Sequence, residues 1–198
     1  RRQRQMCIRD SGMTGLFIAD QIKRNHPNAQ ILFVGRSDET CKKVTFSKEI
    51  AGADYLCTSG LTEEETAEKI MEKIGGRATM FVGTSGSNVE HRIAFQHKVL
   101  GCNGVYNSFS LGPVVSYDTM PFGFENHVIF ASINFRQEHM EKAIEVLVDS
   151  RYDEVVELID KDEFIANPLD AYENKIFCKG APLKTGVIWN KEYIKEDE

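Results

Sequence analysis

The stretch Ser11-Gly12-Met13-Thr14-Gly15-Leu16-Phe17-Ile18-Ala19, followed downstream by Val34-Gly35-Arg36-Ser37, restricts the fold of this chain more than any other. Two glycines open a run with apolar residues at helical spacing. An apolar segment over 30–34 then ends in Gly-Arg-Ser. That order matches the phosphate-binding turn, first helix and second strand of a dinucleotide-binding βαβ unit. Gly12 lets a pyrophosphate approach the backbone closely, and Gly15 lets the helix pack tightly on its strand. The N–H groups of Met13, Thr14 and Gly15, with the helix dipole behind them, would face the phosphates. One position departs from the fingerprint: Asp10 stands where a glycine is expected, two residues before Gly12. A plain loop-to-helix turn would use the same Gly-x-x-Gly spacing, so the surrounding elements decide.

Residues 1–11 resemble one translated frame of a transposase sequencing adapter. They are expected to be a non-native scar, with the natural chain starting near Gly12, inside its own glycine motif. On that expectation the chain is a fragment whose first strand lies upstream, and residues 5–9 either mimic that strand or stay disordered. Residues 1–11 carry four Arg and one Asp, a contribution of +3 to a total of −6, which leaves the remainder at −9. Such acidity argues against nucleic acid or an anionic membrane surface as partner. At 41% hydrophobic, with no apolar run long enough to span a bilayer, the chain is expected to be globular and cytoplasmic. Cys41, Cys57, Cys102 and Cys178 are scattered without a CxxC pair, as thiols in a reducing compartment are.

Apolar periodicity predicts helices over 14–25, from a cap at 37–39 to about 50, over 62–74, 88–100 and 137–148. Thr62-Glu63-Glu64-Glu65 is a capping-box pattern, and Gly75-Gly76 ends its helix. Strands are expected over 30–34, 53–56, 79–82, 104–109 and 127–133, with 111–126 as a long loop. Strands alternating with helices imply an α/β fold: a Rossmann-type doubly wound parallel sheet with helices on both faces. The pattern changes near residue 150. The remaining elements, including a helix over 167–174 and a strand over 184–189, are too few to bury a core of their own. The expected organisation is therefore a dinucleotide-binding domain over 12–149 and, over 150–198, a C-terminal return segment completing a catalytic domain absent from this sequence.

Ligands in such sheets sit at the carboxyl edge, so residues at strand ends are the candidates. An NAD site usually places Asp or Glu after the second strand. This chain has Arg36, a donor fork for a 2′-phosphate, and Ser37, a hydroxyl. Asp38 and Glu39 follow and would suit the first turn of the next helix. NADP is therefore preferred over NAD. Thr84 and Ser85 leave the fourth strand with small hydroxyl groups where a nicotinamide-side ribose would pass, or else form an ordinary polar turn. Ser108, Phe109 and Asn134 close the next two strands. The histidines, among them His91, His97, His127 and His139, lack metal-pair spacing and read as structural. No catalytic residue or metal ligand is assigned.

The order of elements resembles the medium-chain dehydrogenase/reductase family, whose members have an N-terminal catalytic domain, a cofactor domain and a C-terminal return. The segments 167–174 and 183–188 look like the family's closing helix and strand. Gly35-Arg36-Ser37 and the segment 125–134 are most similar to the glucose (aldose) dehydrogenase branch. That branch has Gly-Arg-Arg or Asn-Arg-Arg at the first site and an Asn near the nicotinamide at the second. Ser37 departs from the second Arg. The resemblance implies an NADP-preferring, zinc-dependent sugar or polyol dehydrogenase acting on a small-molecule substrate, most often as a homo-oligomer. Zinc would polarise the substrate oxygen while hydride passes from the carbinol carbon to the nicotinamide. Its ligands would lie mostly upstream, in the domain this sequence lacks. The alternative is a non-catalytic dinucleotide-binding module that senses redox state, which needs no catalytic half. A methyltransferase would share the sheet but not the extended glycine turn or Arg36.

Overall fold

The structure, a computed structural model, describes residues 5–9, 12–109, 119–131, 134–176 and 183–190. Asp10 and Ser11 of the glycine turn, residues 111–118 of the expected loop over 111–126, Ser132, Ile133 and Cys178 lie outside the described residues. The chain divides into two compact units, Arg1–Met140 and Glu141–Glu198.

In the first unit the central strands carry apolar runs buried on both faces, as Met6–Ile8, Ile31–Val34 and Phe81–Val82 are, whereas the last strand is largely exposed. The strands are β1 (Gln5–Arg9), β2 (Gln30–Gly35), β3 (Asp54–Cys57), β4 (Ala78–Gly83), β5 (Leu100–Ser108) and β6 (Val128–Ala131). They form one parallel sheet in the order β3-β2-β1-β4-β5-β6, the doubly wound arrangement. Residues 5–9 thus occupy the first-strand position at the sheet centre, where Cys7 and Ile8 are fully buried. Alternation along the strands feeds two cores. One face carries Cys7, Leu32, Val34, Leu56, Phe81 and Tyr106 against Ala67, Ile70 and Ile74 of α3 (Glu63–Ile74). The other carries Ile8, Ile31, Phe33 and Tyr55, on the side where α1 (Met13–Asn25) packs along α2 (Lys42–Ala51). Burial of side chains of this size contributes about 1.5–3 kcal/mol each.

Several boundaries differ from the sequence expectation, each for a visible reason. Helix α2 starts at Lys42 rather than near Ser37, because the Asp38 carboxylate accepts from Thr40 N (2.9 Å) and Thr40 Oγ1 (2.6 Å). That local turn competes with helix. The helix expected over 88–100 stops early: α4 (Asn88–His91) runs into a π-helical turn over Arg92–Gln96. The guanidinium of Arg77 takes the carbonyls of Lys98 (Nε, 2.6 Å) and Leu100, and Leu100 pairs with Ala78 as the first residue of β5. Between Leu100 and Val105 the β5 register slips, with Asn103 at φ 57°. Within the expected loop over 111–126 the structure has a helix, α5 (Thr119–Phe124), too short to show a period. Helix α3 follows expectation. Thr62 and Glu65 form the reciprocal capping box, and Gly75 closes the helix at φ 71°, a conformation that suits glycine.

Helix α6 (Gln137–Leu147) crosses the division between the units. In the second unit β7 (Val156–Asp160) pairs in parallel with β8 (Lys184–Ile188). Between them lie α7 (Lys161–Ala166), α8 (Pro168–Asp170) and a π-helical turn over Ala171–Ile176. Pro168 sits at the first helical position, where its absent N–H costs nothing, and Asn167 caps the helix by accepting from Asp170 N (3.3 Å).

Candidate functional site at the carboxyl edge of the sheet

Because the sheet is parallel, every strand of the first unit ends at the same edge, and the sequence-predicted residues lie along it. After β1, α1 begins with Gly12 at its N-cap (φ −87°, ψ −179°). The N-cap offers no side-chain hydrogen bond, and the first turn holds no acidic residue. The N–H groups of Met13, Thr14 and Gly15 precede the first helical acceptors and point out of the helix end, while Gly15 is buried. A helix N-terminus with no acidic residue in its first turn suits an anion.

Beside it, β2 delivers Gly35, Arg36 and Ser37. Arg36 is exposed, and its guanidinium makes no ion pair among the described residues. The two acids that follow are engaged nearby: Asp38 holds Thr40, and Glu39 lies 3.6 Å from Lys48 Nζ. The backbone of this turn is held from β3. Thr58 donates to Gly35 O through N (2.7 Å) and Oγ1 (3.1 Å). Tyr55 Oη donates to Ser37 O (2.9 Å), and Cys57 makes a weak S–H contact to Arg36 O (3.9 Å). Burial, reinforced by Cys57, pushes the Tyr55 hydroxyl up to about 12, so it remains a donor at all ordinary pH.

Across β1, the ends of β4 and β5 are joined by Phe109 N, which donates to Gly83 O (2.9 Å). Ser108 pairs with Gly83 on one side and Ala131 on the other. Thr84 is half-buried, and Phe109 and Asn134 are exposed. Ser85 is tied down by Glu90 of α4, whose Oε1 accepts from Ser85 N (3.2 Å) and Ser85 Oγ (2.7 Å). Glu90 is completely buried. Its Oε2 and the hydroxyl of Tyr106 crowd the Cα of Gly83, so closely that an added Cβ would lie 2.8 and 2.3 Å from them. His91 stacks on Tyr106 (centroids 4.7 Å), and burial pulls its basicity below the ordinary histidine value.

The structure places Gly12 at the start of α1 and Arg36, Thr84 and Ser108 at strand ends, where the sequence leads one to expect them, and Asn134 three residues beyond the end of β6. Tyr55, Thr58 and Glu90 were not legible in the sequence. Tyr55 read as an ordinary strand aromatic, and nothing local separates Glu90 from the other surface-type acids of an acidic chain. Among the described residues no group of three or more His, Cys, Asp or Glu side chains is placed to hold a metal ion. No described helix is long and apolar enough to cross a membrane.

The fold defines a Rossmann-type doubly wound α/β domain with the candidate residues at the carboxyl edge of its sheet. No protein-family model matches the sequence, and no curated protein matches it. Solved structures do. The glucose dehydrogenase of Haloferax mediterranei, in complex with NADP, Zn and gluconolactone, superposes at TM-score 0.71 with 16% identity, over 93% of this chain and 50% of that one. The 2R,3R-butanediol dehydrogenase of Bacillus subtilis superposes at 0.71 with 19% identity, over 94% and 51%. The D-arabinose dehydrogenase of Sulfolobus solfataricus gives 0.63 with 18% identity, over 79% and 46%. The chain spans about half the length of these structures, and the likeness at these identities is one of fold.

Proposed function

We propose that this chain is the cofactor-binding half of a dehydrogenase that oxidises a small sugar or polyol, with NADP preferred over NAD. The observation that supports it best is the turn after β2. Arg36 stands exposed without an ion-pair partner among the described residues, while Asp38 and Glu39 are occupied by Thr40 and Lys48. A 2′-phosphate would find a cationic fork there rather than the carboxylate that serves a ribose diol. The start of α1 would take the pyrophosphate, and Thr84, Ser85, Ser108, Phe109 and Asn134 would line the path toward the nicotinamide. The reaction would convert a carbinol and NADP+ to a carbonyl compound, NADPH and a proton. The zinc implied by the resemblance finds no ligand set among the described residues, so no step through it is derived. Its ligands would belong to a catalytic domain outside this sequence.

Titration calorimetry with NADP and NAD tests the reading. The expected result is tighter binding of NADP. Arg36→Ala should weaken NADP roughly tenfold or more, as loss of charge-assisted hydrogen bonds does, and leave NAD nearly unchanged. Equal affinity for both nucleotides in the unaltered chain would defeat the NADP assignment. NADP binding by a full-length protein that transfers no hydride from any polyol would favour the non-catalytic module instead.

A further inference from the structure

We propose that the carboxyl end of β3, Tyr55 to Thr58, is a positioning device that sets nucleotide preference by turning every carbonyl of the Gly35–Ser37 turn away from the nucleotide. The inference rests on the cofactor reading above. Three successive carbonyls of the turn are each engaged from β3: Gly35 O by Thr58 N and Oγ1, Arg36 O by Cys57 Sγ, and Ser37 O by Tyr55 Oη. The main donors are buried, with Tyr55 2% and Thr58 8% exposed. Gly35 O lies in the β2–β3 ladder, where Gly35 pairs with Cys57; the carbonyls of Arg36 and Ser37 lie beyond that ladder and would otherwise be free to face either way.

The chemical consequence follows from what each nucleotide offers. A ribose 2′-hydroxyl donates as well as accepts, so an adenosine site for NAD gains from acceptors near the second strand. A 2′-phosphate is acceptor-only and negatively charged, and a carbonyl oxygen facing it would repel it. With all three carbonyls bound to β3, and Asp38 Oδ1 bound to Thr40, the backbone acceptors of the turn are engaged within the protein. What remains outward is the Arg36 guanidinium, with the half-buried Ser37 beside it. Tyr55 and Thr58 therefore act through the turn, not on the ligand.

The test is equilibrium binding of adenosine 2′,5′-bisphosphate and 5′-AMP, probes that report the adenosine end alone. Binding is compared across the unaltered chain, Tyr55→Phe and Thr58→Val, with melting temperature followed in parallel. Tyr55→Phe keeps the buried ring and removes only the donor to Ser37 O. It should cut the preference for the bisphosphate about threefold to tenfold, the range of one hydrogen bond, with 5′-AMP unchanged or tighter. Thr58→Val, which keeps the amide donor to Gly35 O, should show a smaller shift in the same direction. Loss of both probes in equal proportion means a merely structural role and overturns the proposal, as does an unchanged ratio in both variants. An unaltered chain that prefers the bisphosphate while the variants do likewise defeats the positioning role alone. One that binds neither probe defeats the cofactor reading and this inference with it.

Discussion

A methyl group at Gly83 has nowhere to go. It would lie 2.3 Å from the Tyr106 hydroxyl and 2.8 Å from Glu90 Oε2, and both side chains are buried. Gly83→Ala should therefore destabilise the first unit by about 1–3 kcal/mol, the usual cost of overpacking, seen as a lowered urea midpoint. His91, packed between Tyr106 and Phe95, gives a pH signature. Burial holds its folded-state pKa below the ordinary 6.5, so between those values the unfolded chain binds more protons than the folded one. Its contribution to stability is complete above pH 6.5 and is lost as pH falls through the folded value. His91→Phe, which keeps the stacking, should flatten the loss of stability below pH 6.5 relative to the unaltered chain in parallel urea titrations. At this scale the sequence was partly legible. Arg36 is visible as a cation where a carboxylate is usual. The tie from Glu90 to Ser85 is invisible, because any acid on an amphipathic helix reads as solvated until the fold shows it with no exposure.

Helix α3 is the element whose start the sequence marks best, and its test is equally local. Thr62 N (2.8 Å) and Oγ1 (3.0 Å) donate to Glu65 Oε2, and Thr62 Oγ1 accepts from Glu65 N (3.2 Å). Thr62→Ala should cost about 1 kcal/mol by thermal denaturation, the usual loss for a cap. The backbone N–H of Thr62, and after it the Thr62 hydroxyl, holds the Glu65 carboxyl below its ordinary 4.5. That stabilisation is present above pH 4.5 and disappears as pH falls through the lower folded value. Glu65→Gln should therefore show a shallower acid dependence than the unaltered chain. The starts of α2 and β5 were misread for the complementary reason. Asp38 spends its side chain on Thr40, and Arg77 captures Lys98 O from twenty-one residues away. Periodicity registers apolar spacing, not competition for a carbonyl.

The two compact units allow one prediction for the molecule as a whole. The chain has a single Trp, Trp189, which lies in the second unit, whereas every proposed cofactor contact lies in the first. NADP at a hundred times its dissociation constant should stabilise the first unit by about 2.7 kcal/mol. Differential scanning calorimetry should show one transition raised by NADP while the transition reported by Trp189 fluorescence stays where it was. A Trp189 signal that moves equally would mean the units melt together. The α/β class, the alternation of elements, the glycine turn, the capping box of α3 and the cation after β2 were determined by sequence alone, because each rests on residues adjacent along the chain or one helical turn apart. The tertiary structure alone decided the slipped register of β5, the burial of Glu90 beneath Ser85 and the orientation of the Arg36 turn. Those depend on groups brought together across the sheet, as Tyr55 and Ser37 are over eighteen residues, and such hydrogen bonds leave no local periodicity to read.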